Sequence, residues 1–181
     1  MVVDDAVIST ENLELAPLLE ADSAEMAAVL GDERLHEFTG GSPADPGELR
    51  DRFRRLAAGS GRADQLWLNW IVRLRATGQA VGTVQATVTG GTVTGGTVTG
   101  GTVTGRTAAI AWVIGVPWQG NGIGSEAAAG LVGWLANRGA TTVTACIHPA
   151  HHASQRVAQR AGLTPTDTEV DGERVWQRNL S

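Results

Sequence analysis

A glycine-rich segment, Gln119 to Ser125, reads QGNGIGS and lies between an apolar run and a helical pattern. Glycines leave backbone N–H groups uncovered, and at the start of a helix those groups lie at the positive end of the helix dipole. Such a nest binds phosphate oxygens without a basic side chain. The segment therefore predicts an anion site formed by backbone amides.

The same segment fits two well-known nucleotide-binding classes poorly. A Walker loop needs a lysine after its last glycine, and the chain contains no lysine. A Rossmann fingerprint needs an acidic residue about twenty positions further on for the ribose, and residues 139–152 contain none. A glycine-rich turn that joins a strand to a helix and binds no ligand stays open as an alternative, because short glycine motifs are weakly specific.

Few other side chains suggest chemistry by type alone. All fourteen cationic residues are arginine, and tyrosine is absent, so neither a lysine nucleophile nor a phenolic acid is available. The four histidines lack carboxylate or cysteine companions, so we predict no metal site. Cys146 lies in an apolar run and is expected to be a buried structural thiol. Tryptophans are expected in the core, with Trp67 and Trp118 as candidates for the wall of a substrate channel.

The composition is typical of one soluble domain. The chain has 181 residues, of which 42% are apolar and 18% are charged, and its net charge is -5. Fourteen of the nineteen carboxylates precede Leu66, and this acidic field argues against a nucleic-acid partner. The apolar runs are shorter than a membrane span, and the N-terminus lacks the layout of a secretory signal. We therefore expect a single domain over residues 1–181, in the cytoplasm and away from membranes.

Hydrophobic periodicity predicts strands and helices in mixed order. Alternation favours strands over residues 12–18, 66–74, 80–88, 107–116 and 141–149, with the fourth apolar on both faces, and a closing hairpin over 164–180 that turns at Asp171-Gly172. Helical stripes favour helices over 22–30, 45–56, 123–138 and 150–162. Two capping boxes are predicted, Asp22 with Glu25 and Asp45 with Glu48. The glycine-rich segment thus lies where a strand gives way to a helix.

The unit Thr-Val-Thr-Gly-Gly recurs four times within residues 86–106, the last copy ending in Gly-Arg. Five residues are too few for a solenoid repeat. Folding the segment back at Gly95-Gly96 sets each Thr-Val-Thr against another, and the same register would pair Val84 with Thr107. We therefore expect one hairpin lengthened by duplicated units, with a flexible glycine-rich loop as the alternative.

Taken together, the motif Gln-x-x-Gly-x-Gly at Gln119 and the segment HPAHHASQRVAQRAGL after it resemble the GNAT acyltransferase superfamily. The fuller string WQGNGIGSEAA is similar to the branch of ribosomal-protein-alanine N-terminal acetyltransferases. The resemblance implies an α/β fold with a mixed, mostly antiparallel sheet that is splayed in the middle, carries helices on both faces and has an elongated hairpin between the predicted third and fourth strands.

The resemblance also implies the parts of an acetyl-CoA site. Backbone amides would bind the pyrophosphate, and the end of the central strand would pair with pantetheine. Ser154 would offer a proton to the departing thiolate, although a helix-surface serine is the alternative. Glu37, with His36, would border the acceptor pocket or belong to a solvated loop, and His148 would be a base or a structural histidine. The implied cofactor residues are Ile114, Gly115, Val116, Gln119, Gly120, Asn121, Gly122, Ile123, Gly124, Ser125, His151 and Ser154.

The chain departs from the family pattern at the usual acid and base positions. Ala109 stands where many relatives carry a glutamate, Ala158 stands where a tyrosine acid is usual, and His151 stands in place of an asparagine. The leading hypothesis is direct transfer of an acetyl group from acetyl-CoA to a primary amine, either a protein N-terminus or a small molecule. An acyl-CoA-binding module with little turnover is the alternative, and a homodimer is one expected assembly.

Overall fold

A computed structural model of the chain describes residues 7–90 and 106–180. One eight-stranded sheet, in the order β1-β2-β3-β4-β5-β6-β8-β7, runs through both described ranges. The strands are β1 (Ile8–Ser9), β2 (Leu13–Pro17), β3 (Gln65–Leu74), β4 (Ala80–Thr89), β5 (Arg106–Ile114), β6 (Ala140–Ile147), β7 (Thr164–Val170) and β8 (Glu173–Asn179). The helices are α1 (Ser23–Leu30), α2 (Pro46–Ala58), α3 (Ile123–Asn137) and α4 (His152–Arg160), with short 3-10 turns at Glu20–Asp22, Glu33–His36 and Val116–Trp118.

Every neighbouring pair of strands is antiparallel except β5 and β6, which are parallel and joined through α3. This is the mixed, mostly antiparallel sheet that the resemblance implied. The closing hairpin is also confirmed: Asp171 and Gly172 both have positive φ, 51° and 82°, as a two-residue primed turn requires.

Helices lie on both faces of the sheet. Successive residues of a strand point to opposite faces, so each strand can contact helices on both sides. On one face Leu131 and Leu135 of α3 pack with Trp70 of β3, and Trp70 meets Trp134 edge-on at 5.2 Å between ring centroids. On the other face Phe53 of α2 packs with Ile71 of β3. Along β5 this second face is open, since Thr107, Ala109 and Ala111 are exposed. β5 is a central strand, as its two apolar faces predicted, because it lies between β4 and β6, although one of its faces is exposed.

The two predicted capping boxes have different outcomes. Asp45 accepts from the Glu48 amide and Glu48 accepts from the Asp45 amide, so the box of α2 is confirmed. Asp22 precedes α1 without capping it. Both of its carboxylate oxygens have other partners: Oδ2 accepts from the Leu19 amide, and Oδ1 pairs with Arg73 of β3 at 2.9 Å.

The register between β4 and β5 differs from the prediction. Val84 pairs with Trp112 and Thr89 pairs with Thr107, which shifts the pairing by one five-residue unit from the predicted Val84–Thr107 pair. A repeat of five residues matches itself equally well at registers five residues apart, so the repeat could not distinguish them. The predicted hairpin extension itself falls on residues 91–105, outside the described residues.

Candidate functional site

The strands β5 and β6 separate partway along their length and leave an opening between them. They pair from Arg106 with Ala140 to Ala109 with Thr144, whereas β5 continues to Ile114 and β6 to Ile147. On the other edge of β5, the Gly115 amide donates to the Val81 carbonyl of β4 at 2.8 Å. Because peptide groups alternate in direction along a strand, the backbone groups of Trp112 and Ile114 face the opening.

The glycine-rich turn lies directly after this end of β5. Gly120 and Gly122 have φ of 79° and 81°, a conformation that favours glycine, and a Cβ atom at either residue would meet nothing within 4 Å. Gly122 is the N-cap of α3 and offers no side chain to cap the helix. The amides of Ile123, Gly124 and Ser125 therefore head the helix without intrahelical partners and with open space before them.

Gln119 and Asn121 hold this turn in place. The Gln119 Nε2 amide donates to the Ile114 carbonyl at 2.9 Å and Asn121 Nδ2 donates to the Gln119 carbonyl. The Gln119 backbone amide donates to Val116, 3.2 Å away. Two of the expected cofactor contacts are thus in use within the protein: the amide of Gln119 and, through its bond to Val81, the amide of Gly115. The Gln119 side chain fixes the turn relative to the strand end.

Two close contacts join β5, α3 and α4 beside the turn. A Cβ at Gly124 would lie 3.3 Å from Val157 of α4 and 3.4 Å from Ile114 of β5. A Cβ at Gly115 would lie 2.8 Å from the Trp118 ring, which contacts both hydrophobic clusters. Trp118 is therefore a packing residue at this junction, and glycine is required at position 115 because of it.

The start of α4 brings Ser154 and His151 to the same region. Residues 151, 154 and 158 are spaced by three and four, so they share one face of a helix. Ala158 on that face is fully buried, and Ser154 is partly buried one turn earlier. His151 is the N-cap residue. Ser154 and His151 therefore share one face at the start of α4, and Ala158 on that face supplies no polar group.

Phe38, in the loop after the Glu33–His36 turn, contacts two histidines: His148, which directly follows β6, and His151, which caps α4. Its ring stacks on His151 with 4.3 Å between centroids and lies 5.5 Å from the ring of His148. Burial lowers the pKa of His151 below its ordinary value, and the charges of Glu37 and Glu173 partly oppose that shift. The structure thus brings Glu37, His148 and His151 together, whereas His36 contacts Gly40 within its own loop.

The hydrogen bonding of His148 limits what its ring can do. The Ala150 amide donates to His148 Nδ1 at 3.1 Å, and the His151 amide donates to the His148 carbonyl. A neutral histidine that accepts at Nδ1 carries its proton on Nε2. The ring of His148 therefore presents a donor to its surroundings, and its lone pair is engaged.

The prediction that Cys146 is buried is wrong. Its side chain is exposed on β6, on the open side of the sheet, because buried residues alternate along this strand at Val143, Ala145 and Ile147. Neighbouring atoms still remove part of the water around the thiol, and this partial desolvation raises its pKa, as do the negative charges of Glu173 and Asp171. Cys146 is therefore a protonated thiol near neutral pH.

A small pocket lies between the α1–α2 layer and strands β3 and β4. Its wall includes Leu30, Phe53, Leu56, Asn69, Thr83 and Gln85. Trp67 lies on β3 two residues before Asn69 and is half-buried. Its indole N–H donates to the side-chain carbonyl of Gln65. No cluster that could hold a metal ion occurs among residues 7–90 and 106–180, and no helix in those ranges is long and apolar enough to cross a membrane.

Comparison with known proteins identifies the family. The model of the GNAT acetyltransferase domain matches residues 12–164, so the chain belongs to the GNAT acetyltransferases. No curated protein sequence matches it.

Solved structures share the fold at low sequence identity. RimL, a ribosomal L7/L12 alpha-N-protein acetyltransferase in complex with coenzyme A, has a TM-score of 0.73 and 16% identity, over 96% of this chain and 98% of RimL. A Vibrio cholerae protein described as a ribosomal-protein-serine acetyltransferase has a TM-score of 0.70 and 19% identity, and the alignment covers 98% of this chain and 99% of that protein. The aminoglycoside acetyltransferase AAC(6')-Ib in complex with coenzyme A has a TM-score of 0.68 and 19% identity, over 92% and 94%.

Proposed function

We propose that the chain transfers an acetyl group from acetyl-CoA to a primary amine. The observation that carries this proposal is the opening between β5 and β6, which ends at free amides heading α3. An anionic pyrophosphate fits those amides because they combine uncapped donors with the positive end of the helix dipole. The residues proposed to hold it are Gly120, Asn121, Gly122, Ile123, Gly124 and Ser125.

The pantetheine arm is proposed to lie in the opening. Trp112 and Ile114 direct backbone groups into it, and the Ile114 carbonyl is already bonded to Gln119. The pairing role thus moves from the Gly115 amide to the amides of Trp112 and Ile114, while Val116 follows the strand and starts a 3-10 turn. An amide in this position can also stabilise negative charge on a thioester carbonyl during attack.

Ser154 is proposed to protonate the thiolate that leaves. In the reaction the amine nitrogen bonds to the carbonyl carbon and the carbon–sulfur bond breaks. Ser154 gives its proton to the sulfur, and the proton that the nitrogen loses restores the serine hydroxyl. Acetyl-CoA supplies the activated thioester. The hydroxyl of Ser154 has a proton to donate, while Ala158 on the same face of α4 has none.

The acceptor is proposed to be an amine with few other positive charges, such as a protein N-terminus. On the open side of the sheet, the described residues around Ala109 are uncharged: Gln85, Thr87, Ala111 and Thr144. Glu37 and Glu173 are the two carboxylates whose charges act on His151. A polycationic small molecule would leave several charges without partners here, which is unfavourable. A small monoamine remains an acceptor of the same chemistry.

Thiol release from acetyl-CoA, measured over a panel of N-terminal peptides, small monoamines and aminoglycosides, tests the proposal. We expect release above background with at least one peptide or monoamine. The rival function, an acyl-CoA-binding module, is favoured by Ala109 and Ala158. Tight binding of CoA in calorimetry with no release for any amine would support that rival and refute transfer.

We also propose that residues 1–181 form one domain and that the protein is a cytoplasmic homodimer. The described strands all join one sheet, which supports one domain over residues 1–181. A cytoplasmic location and a homodimer are proposed from composition and from the family resemblance.

A further inference from the structure

The proposed transfer needs a base, and the chain lacks the usual ones. An ammonium acceptor loses two protons in the reaction: one reaches the thiolate and the other must leave to water. Ala109 cannot accept a proton, and the sequence has neither lysine nor tyrosine. The base must therefore be sought among the histidines and carboxylates that the fold brings to the opening.

We propose that His151 is the base that takes the first proton from the acceptor ammonium. His151 heads α4, three residues before Ser154, beside the end of β6. This inference rests on the proposed function and adds a residue role to it. An unprotonated ring nitrogen accepts the proton before the amine attacks, and the partly exposed ring then releases it to solvent.

Its surroundings suit His151 for this role. Phe38 stacks on one face of the ring at 4.3 Å and 21°, which fixes the plane of the imidazole. That contact and the burial around it favour the neutral ring, because desolvation penalises the charged form. Four charged or titratable groups act on His151: Glu37 from the loop, Glu173 from β8, His148 from the segment after β6 and His152 from α4. The two carboxylates allow the ring to accept a proton, and the two histidines oppose it.

The other histidines at this end are less suitable. His148 has its Nδ1 lone pair engaged by the Ala150 amide and so presents an N–H. His36 lies within its own loop, with Nδ1 3.3 Å from the Gly40 carbonyl. His152 is exposed and makes no ring contact with Phe38 among the described residues. His152 is therefore the matched control for His151.

The test is the pH profile of turnover in His151→Asn, with His152→Asn as control. Asparagine is a favoured N-cap residue, so α4 should still form. We expect His151→Asn to lower kcat by roughly 10²-fold or more with little change in KM for acetyl-CoA, as loss of a general base predicts. The acid limb of the wild-type profile, where turnover falls as the ring is protonated, should be absent from His151→Asn and present in His152→Asn.

A second variant and a direct titration separate a base from a merely structural residue. Phe38→Leu should expose the ring to water and move the acid limb to higher pH, and the NMR titration of the His151 ring should move with it. An acid limb that is unchanged in His151→Asn would overturn the proposal while leaving acetyl transfer intact. If the wild-type protein releases no thiol with any amine, the proposed function fails, and the base role fails with it; the NMR titration then reports only the ring's protonation.

Discussion

Replacing Gly122 with valine tests the cofactor turn, because the structure separates the cost to the fold from the cost to binding. The φ of Gly122 is 81°, and a β-branched residue held there should cost roughly 1–3 kcal/mol of strain. A domain of this size is typically stable by about 5–15 kcal/mol, so the variant should fold. Its Tm should fall by about 2–4 °C for each kcal/mol lost.

The effect on CoA binding should be much larger than the effect on folding. A Cβ at Gly122 meets no protein atom within 4 Å, so the valine side chain would stand in the space before the amides of α3. Hydrogen bonds to a charged group contribute about 1.5–3 kcal/mol each. Losing two of them corresponds to roughly 10²–10⁴-fold weaker binding, which calorimetry with CoA would measure.

Gly78 provides the matched control for this strain. It lies in the turn between β3 and β4 with φ of 73°, and its Cβ would also meet nothing within 4 Å. Gly78→Val should lose a similar amount of stability and retain its affinity for CoA. Equal CoA affinity in the two folded variants would refute the placement of the pyrophosphate at α3.

Three further predictions concern the proton donor, an ion-pair network and the repeat. Ser154→Ala should lower kcat by about 10²-fold with acetyl-CoA binding little changed; kcat within about twofold of wild type in a stopped-flow thiol assay would remove Ser154 from the mechanism. The Ala80 amide and Arg73 hold the pKa of Glu25 below its ordinary value, so its contribution to stability is present above pH 4.5 and is lost as pH falls through the lowered pKa. Urea unfolding between pH 7 and pH 3 should show a shallower loss in Glu25→Gln, and identical slopes would contradict this. Replacing residues 91–105 with Asn-Gly should preserve CoA binding and thiol release, and loss of both in a folded variant would place the repeat in the site.

Local signals in the sequence predict the structure correctly where the interacting residues are near one another in the chain. The α2 box depends on residues three apart, and the Asp171-Gly172 turn depends on two adjacent residues, so both could be predicted. The α1 box failed because Arg73 takes the carboxylate of Asp22 from another strand. Cys146 was misplaced because an apolar run does not tell which face of a sheet is left open.

The site could be predicted in part for the same reason. Positive φ at Gly120 and Gly122 follows from glycine in a strand-to-helix turn, so the turn was visible in the sequence. Phe38 was missed because its contacts with His148 and His151 join residues more than a hundred positions apart. The sequence signal for this contact is one aromatic residue in the polar loop HEFTGG. It predicts that Phe38 packs against another residue but does not indicate which one.

The chemistry proposed here depends on small residues at one junction. Gly115 and Gly124 let Trp118, Val157 and Ile114 approach within contact distance, so the end of β5, the start of α3 and α4 are held together. A methyl group at Gly124 would be tight against Val157, whose side chain would have to give by a few tenths of an ångström. The close approach of α4 to α3 therefore depends on the small residue at position 124. Precision at the site is therefore a packing property of its glycines as well as a property of its polar side chains.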